Sequence, residues 1–268
     1  MQLSVITDEI DPSLTAALDV CEDLRISMVE LRTIDGVNIV EQPPEALAEI
    51  RGELAARGFR VCAIASPFLK CGRDEAGPEQ HAIHERALAA AHVLSAPIVR
   101  AFSFWREPDP AGVLPELGRD LQRASALARD AGVTLALENE HECNVATSSE
   151  ARAALDAADA PDLRLIWDAG NAAMLDPHAF SGLGGLESVV DHVAHVHLKD
   201  ADEKQNWVRI GDGVVDHEAL LRYLDSAGYD GVLSFETHYQ RDGSGELSTR
   251  ECVESLRAIA ARANVELS

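Results

Sequence analysis

A chain of 268 residues with 46 acidic and 23 basic side chains, a formal net charge of −23, repels polyanions, and with no basic run to offset this it has neither nucleic acid nor an anionic membrane as a partner. The length suits one α/β domain over residues 1–268 with a substantial core, since α/β barrels commonly run to about 250 residues. Five cysteines without C-x-x-C spacing point to a reduced, cytoplasmic protein; the N-terminus has no signal-peptide pattern, and no apolar run approaches the roughly 20 residues of a membrane span.

Short runs rich in Val, Ile and Leu alternate with longer Ala, Leu, Glu and Arg segments at helical period. The first run is Leu3–Thr7, after which Asp11-Pro12-Ser13 signals a helix over Leu14–Leu24. Ser27–Leu31 is the second, and a loop with Gly36 leads through Pro43-Pro44 into a helix to about Arg57, stopped by Gly58. Arg60–Ala65 gives way to Ser66–Gly72 and a helix over Pro78–Leu94. Pro97–Phe102 continues into Ser103-Phe104-Trp105-Arg106, before a helix from about Pro110 to Ala131. Val133–Glu138 is the fifth run, followed by helix Ser148–Ala158 with Thr147 or Ser148 as its cap. Leu163–Asp168 is the sixth, and Ala169-Gly170-Asn171 reads as its loop. Val193–Leu198, the seventh, enters a long loop over Lys199–Asp216 with Trp207, Arg209 and Gly211-Asp212-Gly213. A helix over Asp216–Ala227, an eighth run at Gly231–Glu236 and a last helix, Thr249–Ala263, complete the pattern. Eight strand-then-helix units without a composition break predict a single parallel (β/α)8 barrel; a doubly wound open sheet is the alternative, but the first loop, Asp8-Glu9-Ile10, has no glycine-rich phosphate cradle.

Barrel active sites lie at the C-terminal strand ends, so the residues closing each run are the candidates. In Val193–Leu198 the two histidines, His195 and His197, share one face, and buried imidazoles need partners. Three other runs end in Glu138, Asp168 and Glu236. These carboxylates and His197, from four neighbouring strands, can converge on one cation; a divalent ion removes the penalty three close carboxylates impose on one another. The oxygen/nitrogen set suits Mn²⁺ foremost, with Mg²⁺, Co²⁺ or Zn²⁺ as alternatives. Other strand-end residues are Glu30 and Arg32, Ser66 and Lys70, Phe104 and Trp105, Asn171, Lys199 and His238. Glu140, His141 and Glu142 read as loop residues. His81, His84 and His92, on one helix, read mainly as surface or core residues, with His84 within reach of the mouth, while His178, His192 and His217 read as structural.

Leu137-Glu138-Asn139, Trp167-Asp168-Ala169-Gly170-Asn171, His195-Val196-His197-Leu198-Lys199-Asp200, Arg209-Ile210-Gly211-Asp212-Gly213 with Val215-Asp216, and Ser234-Phe235-Glu236 together resemble the xylose-isomerase-like barrels. That group includes sugar and sugar-phosphate isomerases and epimerases and the endonuclease IV branch. Val29-Glu30-Leu31-Arg32 and Ser66-Pro67-Phe68-Leu69-Lys70 look like the epimerase-type members. The resemblance implies that Glu138, Asp168, His197 and Glu236 hold one divalent metal, that Glu138 and Glu236 transfer protons on opposite faces of the substrate, and that Arg209 contacts a substrate oxygen. It also implies a small carbohydrate substrate, with Asn171, Lys199 and Lys70 as further contacts, and association into a homo-oligomer as common behaviour of such barrels. From the residues themselves, Phe104 and Trp105 offer a sugar an apolar face and Trp207, on the long seventh loop, reads as part of a lid, with ordinary packing as the alternative. One departure stands out: Asn171 replaces the usual His three residues after the Asp, and an amide cannot shuttle a proton at neutral pH. The activity implied is a metal-dependent isomerase or epimerase working by proton abstraction beside a polarised carbonyl. A keto-inositol type dehydratase and a non-catalytic sugar-binding barrel are the alternatives.

Overall fold

A computed structural model describes residues 1–268. Eight strands, β1 (Gln2–Ile6), β2 (Met28–Leu31), β3 (Arg60–Ile64), β4 (Ile98–Ala101), β5 (Thr134–Glu138), β6 (Arg164–Asp168), β7 (Val193–Leu198) and β8 (Val232–Phe235), each pair in parallel with the next in chain order. The sheet closes through β1 and β8, with Val5 opposite Phe235. Around it lie α1 (Leu14–Asp23), α2 (Pro44–Ala56), α3 (Pro78–Leu94), α4 (Leu114–Asp130), α5 (Ser148–Ala158), α6 (Ala169–Leu175), α7 (His217–Ser226) and α8 (Gly245–Ala263). This is an α/β TIM barrel.

Most strands stop within a residue or two of the hydrophobic runs, where the ladder gives way to loops. Three differences have local causes. Pro110–Val113 form a 3-10 turn before α4 rather than its first turn. The last helix starts four residues early because Ser244 caps it, accepting from Leu247 N at 3.2 Å. Residues 169–171 are helical, not loop: Asp168 Oδ1 accepts from Asn171 N at 2.8 Å, an N-cap that starts α6 directly at the strand end.

The core is a shell of 67 buried residues, in which outward strand residues such as Val5, Val29, Leu137 and Val196 meet the apolar faces of the helices. Helices α4 and α5 approach closely because Gly118 has no side chain: a Cβ there would stand about 2.5 Å from the Ala157 carbonyl oxygen. Inside the barrel floor, six residues, Met28, Cys62, Ala63, Ile98, Ala136 and Ile166, form a second small cluster. All five cysteines are buried and free, and no helix is long and apolar enough to cross a membrane.

Candidate active site at the barrel mouth

Alternation along each strand decides what the barrel interior contains. Glu138, Asp168, His197 and Glu236, from the ends of β5 to β8, all point inward and are buried. One donor atom from each lies within 4.8 Å of those of the others. His197 Nδ1 is 3.1 Å from Glu138 Oε1 and 3.4 Å from Glu236 Oε2, while Lys199 Nζ reaches Glu236 Oε2 at 2.6 Å and Asp168 Oδ2 at 3.0 Å. The Lys199 contact with Asp168 lacks hydrogen-bond geometry, so Asp168 Oδ2 is a buried oxygen without a hydrogen bond.

Around these four, other charged side chains hold the geometry. Arg100, buried, donates to Glu138 Oε2 at 3.0 Å and to the Ala65 and Ser66 carbonyls, its guanidinium 4.6 Å from the centre of the Phe102 ring. Arg32 donates to Asp8 (2.9 Å), Glu9 (2.6 Å) and Glu236 (3.0 Å). Beneath His197, the Glu30 carboxylate accepts from His195 Nε2 at 2.9 Å and from His197 Nε2 at 3.1 Å. Asn139 ties β5 to β6, donating to the Asp168 carbonyl and accepting from Asp168 N.

Burial alone would strip charge from all these groups, and their neighbours decide otherwise. It pushes the Asp168 carboxyl up to about 6, with Lys199 opposing. Glu236 is desolvated too, yet Lys199 and His238 hold it well below the usual carboxylate range. His197 loses charge to burial but regains it from Glu30 and Glu138, which raise it well above an ordinary imidazole. Carboxylates face both of its nitrogens, so the ring carries both protons here.

The donor set fits a divalent cation. With His197 neutral, as a ligand nitrogen requires, Glu30, Glu138, Asp168 and Glu236 outnumber Arg100 and Lys199 by two negative charges, and one Asp168 oxygen is unsatisfied. A doubly charged ion among three carboxylates and an imidazole would answer both.

Asn171 donates to Glu138 Oε1 at 3.2 Å and pairs with His141 Nδ1 through Oδ1 at 3.0 Å; the amide orients a carboxylate, which a neutral side chain can do without moving a proton. Lys70 reaches Glu140 at 3.1 Å. Glu140 is therefore not a loop bystander. Despite the upward push of burial, the His141 hydrogen bond and the charges of Lys199 and Lys70 hold its carboxyl far below the usual range. Trp105 stands at the rim, 41% exposed, with the Lys70 ammonium 5.8 Å from its ring centre. Phe104 offers no face to a ligand, being wholly buried.

Trp207 hangs over the cluster on a two-stranded ribbon, Asp200–Ala201 with Trp207–Val208. Its ring is edge-on to His141 and His238, with Lys199 Nζ 5.2 Å from its centre.

One expected member, Arg209, lies elsewhere, and His84 is the core residue its helix position suggests. Arg209 forks onto Asp212 at 2.9–3.0 Å with its side chain 42% exposed, because the neighbouring carboxylate captures it before it can turn inward. His84 stacks on Phe68 and bonds the Ala124 carbonyl between α3 and α4. In contrast, Glu30 and Arg32, already candidates as strand-end residues, reach the site, and Arg100 joins them. The available signal was the inward alternation of Met28 with Glu30 in β2 and of Ile98 with Arg100 in β4.

With this barrel and mouth in hand, the chain belongs to the xylose isomerase-like TIM-barrel family, which matches residues 18–259. An inosose dehydratase of Geobacillus thermodenitrificans (strain NG80-2) is 26% identical over 132 residues, 41% of this chain and 42% of that one, so the match spans less than half the relative's length. Among solved structures, the IOLI protein with a bound zinc atom superposes with a TM-score of 0.75 at 19% identity over 98% of each chain. An L-ribulose 3-epimerase gives 0.76 at 17% over 98% of this chain and 95% of the other. At such identities the likeness is one of fold.

Proposed function

We propose that the mouth is the active site of a divalent-metal-dependent isomerase or epimerase of a small, unphosphorylated sugar or polyhydroxy carbonyl compound. The observation that carries this is the convergence of Glu138, Asp168, His197 and Glu236, all buried, with donor atoms within 4.8 Å. Those four would hold the metal, and the zinc in the IOLI neighbour supports that assignment. When bound, the ion supplies Lewis-acid polarisation of a carbonyl and its neighbouring hydroxyl.

The chain does the proton work. Glu138 and Glu236 share Arg100, whose NH1 lies 3.0 Å from one and 3.7 Å from the other. The shared guanidinium orients both side chains with an oxygen toward the common centre. One removes the proton α to the carbonyl, and the other returns a proton on the opposite face for epimerisation, or at the adjacent carbon for isomerisation. Trp207 and the buried setting exclude bulk water from the intermediate.

Substrate charge follows from the cations. Lys70, Arg32, Arg100 and Lys199 each have a carboxylate oxygen within 3.1 Å, leaving none free to hold a phosphate. A neutral polyol suits that surface.

A dehydratase is the second reading, favoured by the inosose dehydratase match and by one geometric fact. The buried Lys199 ammonium beside Glu236 can give a proton to a departing β-hydroxyl. The test is α-proton exchange in D₂O with neutral ketoses and keto-inositols in the presence of Mn²⁺. Exchange with retained oxygen content supports the isomerase reading, exchange with loss of water the dehydratase. Metal binding without exchange on any of them would remove both.

A further inference from the structure

We propose that Glu30 is a positioning residue: its carboxylate, held between His195 and His197, fixes the His197 ring so that Nδ1 faces Glu138, Asp168 and Glu236. What Nδ1 is presented to rests on the cation site proposed above; how the ring is held rests on the geometry around Glu30.

Glu30 is fully buried, and its side-chain hydrogen bonds all go to imidazole nitrogens: His195 Nε2 at 2.9 Å, and His197 Nε2 at 3.1 and 3.2 Å. A carboxylate only accepts, so His197 Nε2 must carry a proton. The nitrogen left for a cation is then Nδ1, which already lies toward Glu138 and Glu236. An imidazole binds a metal through one nitrogen, and the hydrogen bond made by the other selects which. Flipping the ring would turn a carbon toward Glu30 and leave part of a buried carboxylate unsatisfied, which is costly.

The carboxylate itself is immobilised from two sides. In the ladder, Glu30 is paired with Ile6 of β1 and Ala63 of β3, and a register shift between Val29 and Glu30 sets where the side chain enters the barrel. From below, His195 occupies Oε2, its ring edge-on to His197 at 5.3 Å between centres. A neutral hydrogen-bonding surrogate at position 195 should therefore preserve the arrangement, whereas any change that removes the Glu30 oxygens from His197 should lose it.

The experiment compares the full-length protein with Glu30→Gln, Glu30→Asp and His195→Gln by two readouts. The first is the ¹⁵N–¹H imidazole spectrum of metal-free protein. The native His197 Nε2–H should resonate far downfield, as for a carboxylate-bonded proton; the signal should be lost in both Glu30 variants and kept in His195→Gln. The second is Zn²⁺ affinity by chelator competition, expected to weaken about 10–100-fold in the Glu30 variants and no more than a few-fold in His195→Gln. Native zinc affinity in folded Glu30 variants, or an unmoved resonance, overturns the proposal. Glu30→Asp keeps the charge but is one methylene short, so it carries the test if Glu30→Gln does not fold. Should neither fold, the native spectrum decides: absence of a carboxylate-bonded Nε2–H overturns the role. A native protein that shows this proton but binds no zinc supports the ring-holding and sinks the cation-site reading.

Discussion

The two ends of the barrel are built on one strand periodicity and filled with opposite chemistry. Along the inward positions, Met28 gives way to Glu30 and Arg32, Ile98 to Arg100, Ile166 to Asp168, and Val232 to Ser234 and Glu236. The floor beneath is an apolar basin of about 740 Å³ whose lining includes Met28, Leu54, Phe59, Cys62 and Ile98. At the mouth, buried carboxylates interlock with Arg32, Arg100 and Lys199. The floor buries surface without filling it; the mouth spends burial on charges that are destabilised unless each has a partner. Stability is thus drawn mainly from the lower layers and the shell, and geometry is imposed in the upper one.

Substitutions at the two ends should separate these roles. The largest effect is expected from Glu236→Gln, which should cut α-proton exchange in D₂O by about 10²–10⁴-fold, the usual worth of a placed acid or base; an unchanged rate would take proton transfer away from this residue. Arg100→Met strips the partner from Glu138 in a dry setting and should destabilise the fold by about 3–5 kcal/mol in urea titrations.

At the edge of the mouth, Glu9 should give an acid-sensitive step. Burial would raise its pKa, but the His238 hydrogen bond and the charges of His238 and Arg32 lower it from 4.5 to about 2. A depressed folded-state pKa stabilises above the unfolded value. The contribution, up to about 3 kcal/mol, is therefore present above about pH 4.5 and lost as pH falls toward about 2. Comparing urea midpoints of native protein and Glu9→Gln between about pH 6 and about pH 3 should show the native advantage shrinking; a constant difference would contradict it.

On the floor, Leu54→Ala should cost about 2 kcal/mol, the low end for such truncations because the basin already leaves its walls without partners, with α-proton exchange unchanged. A fall in exchange would mean that the two ends are coupled. Smallest of all, Arg209→Ala should shift stability by less than about 0.5 kcal/mol, since its exposed pair with Asp212 is worth little.

Hydrophobic alternation made the barrel readable, because apolar runs and helical segments of ordinary length each bury one face. The helix at Ala169–Leu175 escaped because seven residues with Gly170 and Asn171 carry almost no periodicity, and its start depends on a cap from a strand-end Asp. Glu138, Asp168 and Glu236 could be picked out because each closes its hydrophobic run, and His197 because it shares the inward face of its strand with His195, although which atoms converge is a matter of register between strands. The partnership of Glu30 with His195 spans 165 positions, and nothing local announces it. Arg209 shows the converse: a family pattern names the residue, and a carboxylate three positions on takes its charge.

The ribbon bearing Trp207 has a fixed base. Asp200 accepts from Gly211, Gly213 and Val215 N–H, and a side chain at Gly213 would collide with the Ala201 carbonyl, so the two ends of the excursion are riveted to one carboxylate. The indole stands over Lys199 and between two imidazoles. An excursion closed at its base by one carboxylate therefore presents this ring from an anchored frame rather than from a free loop.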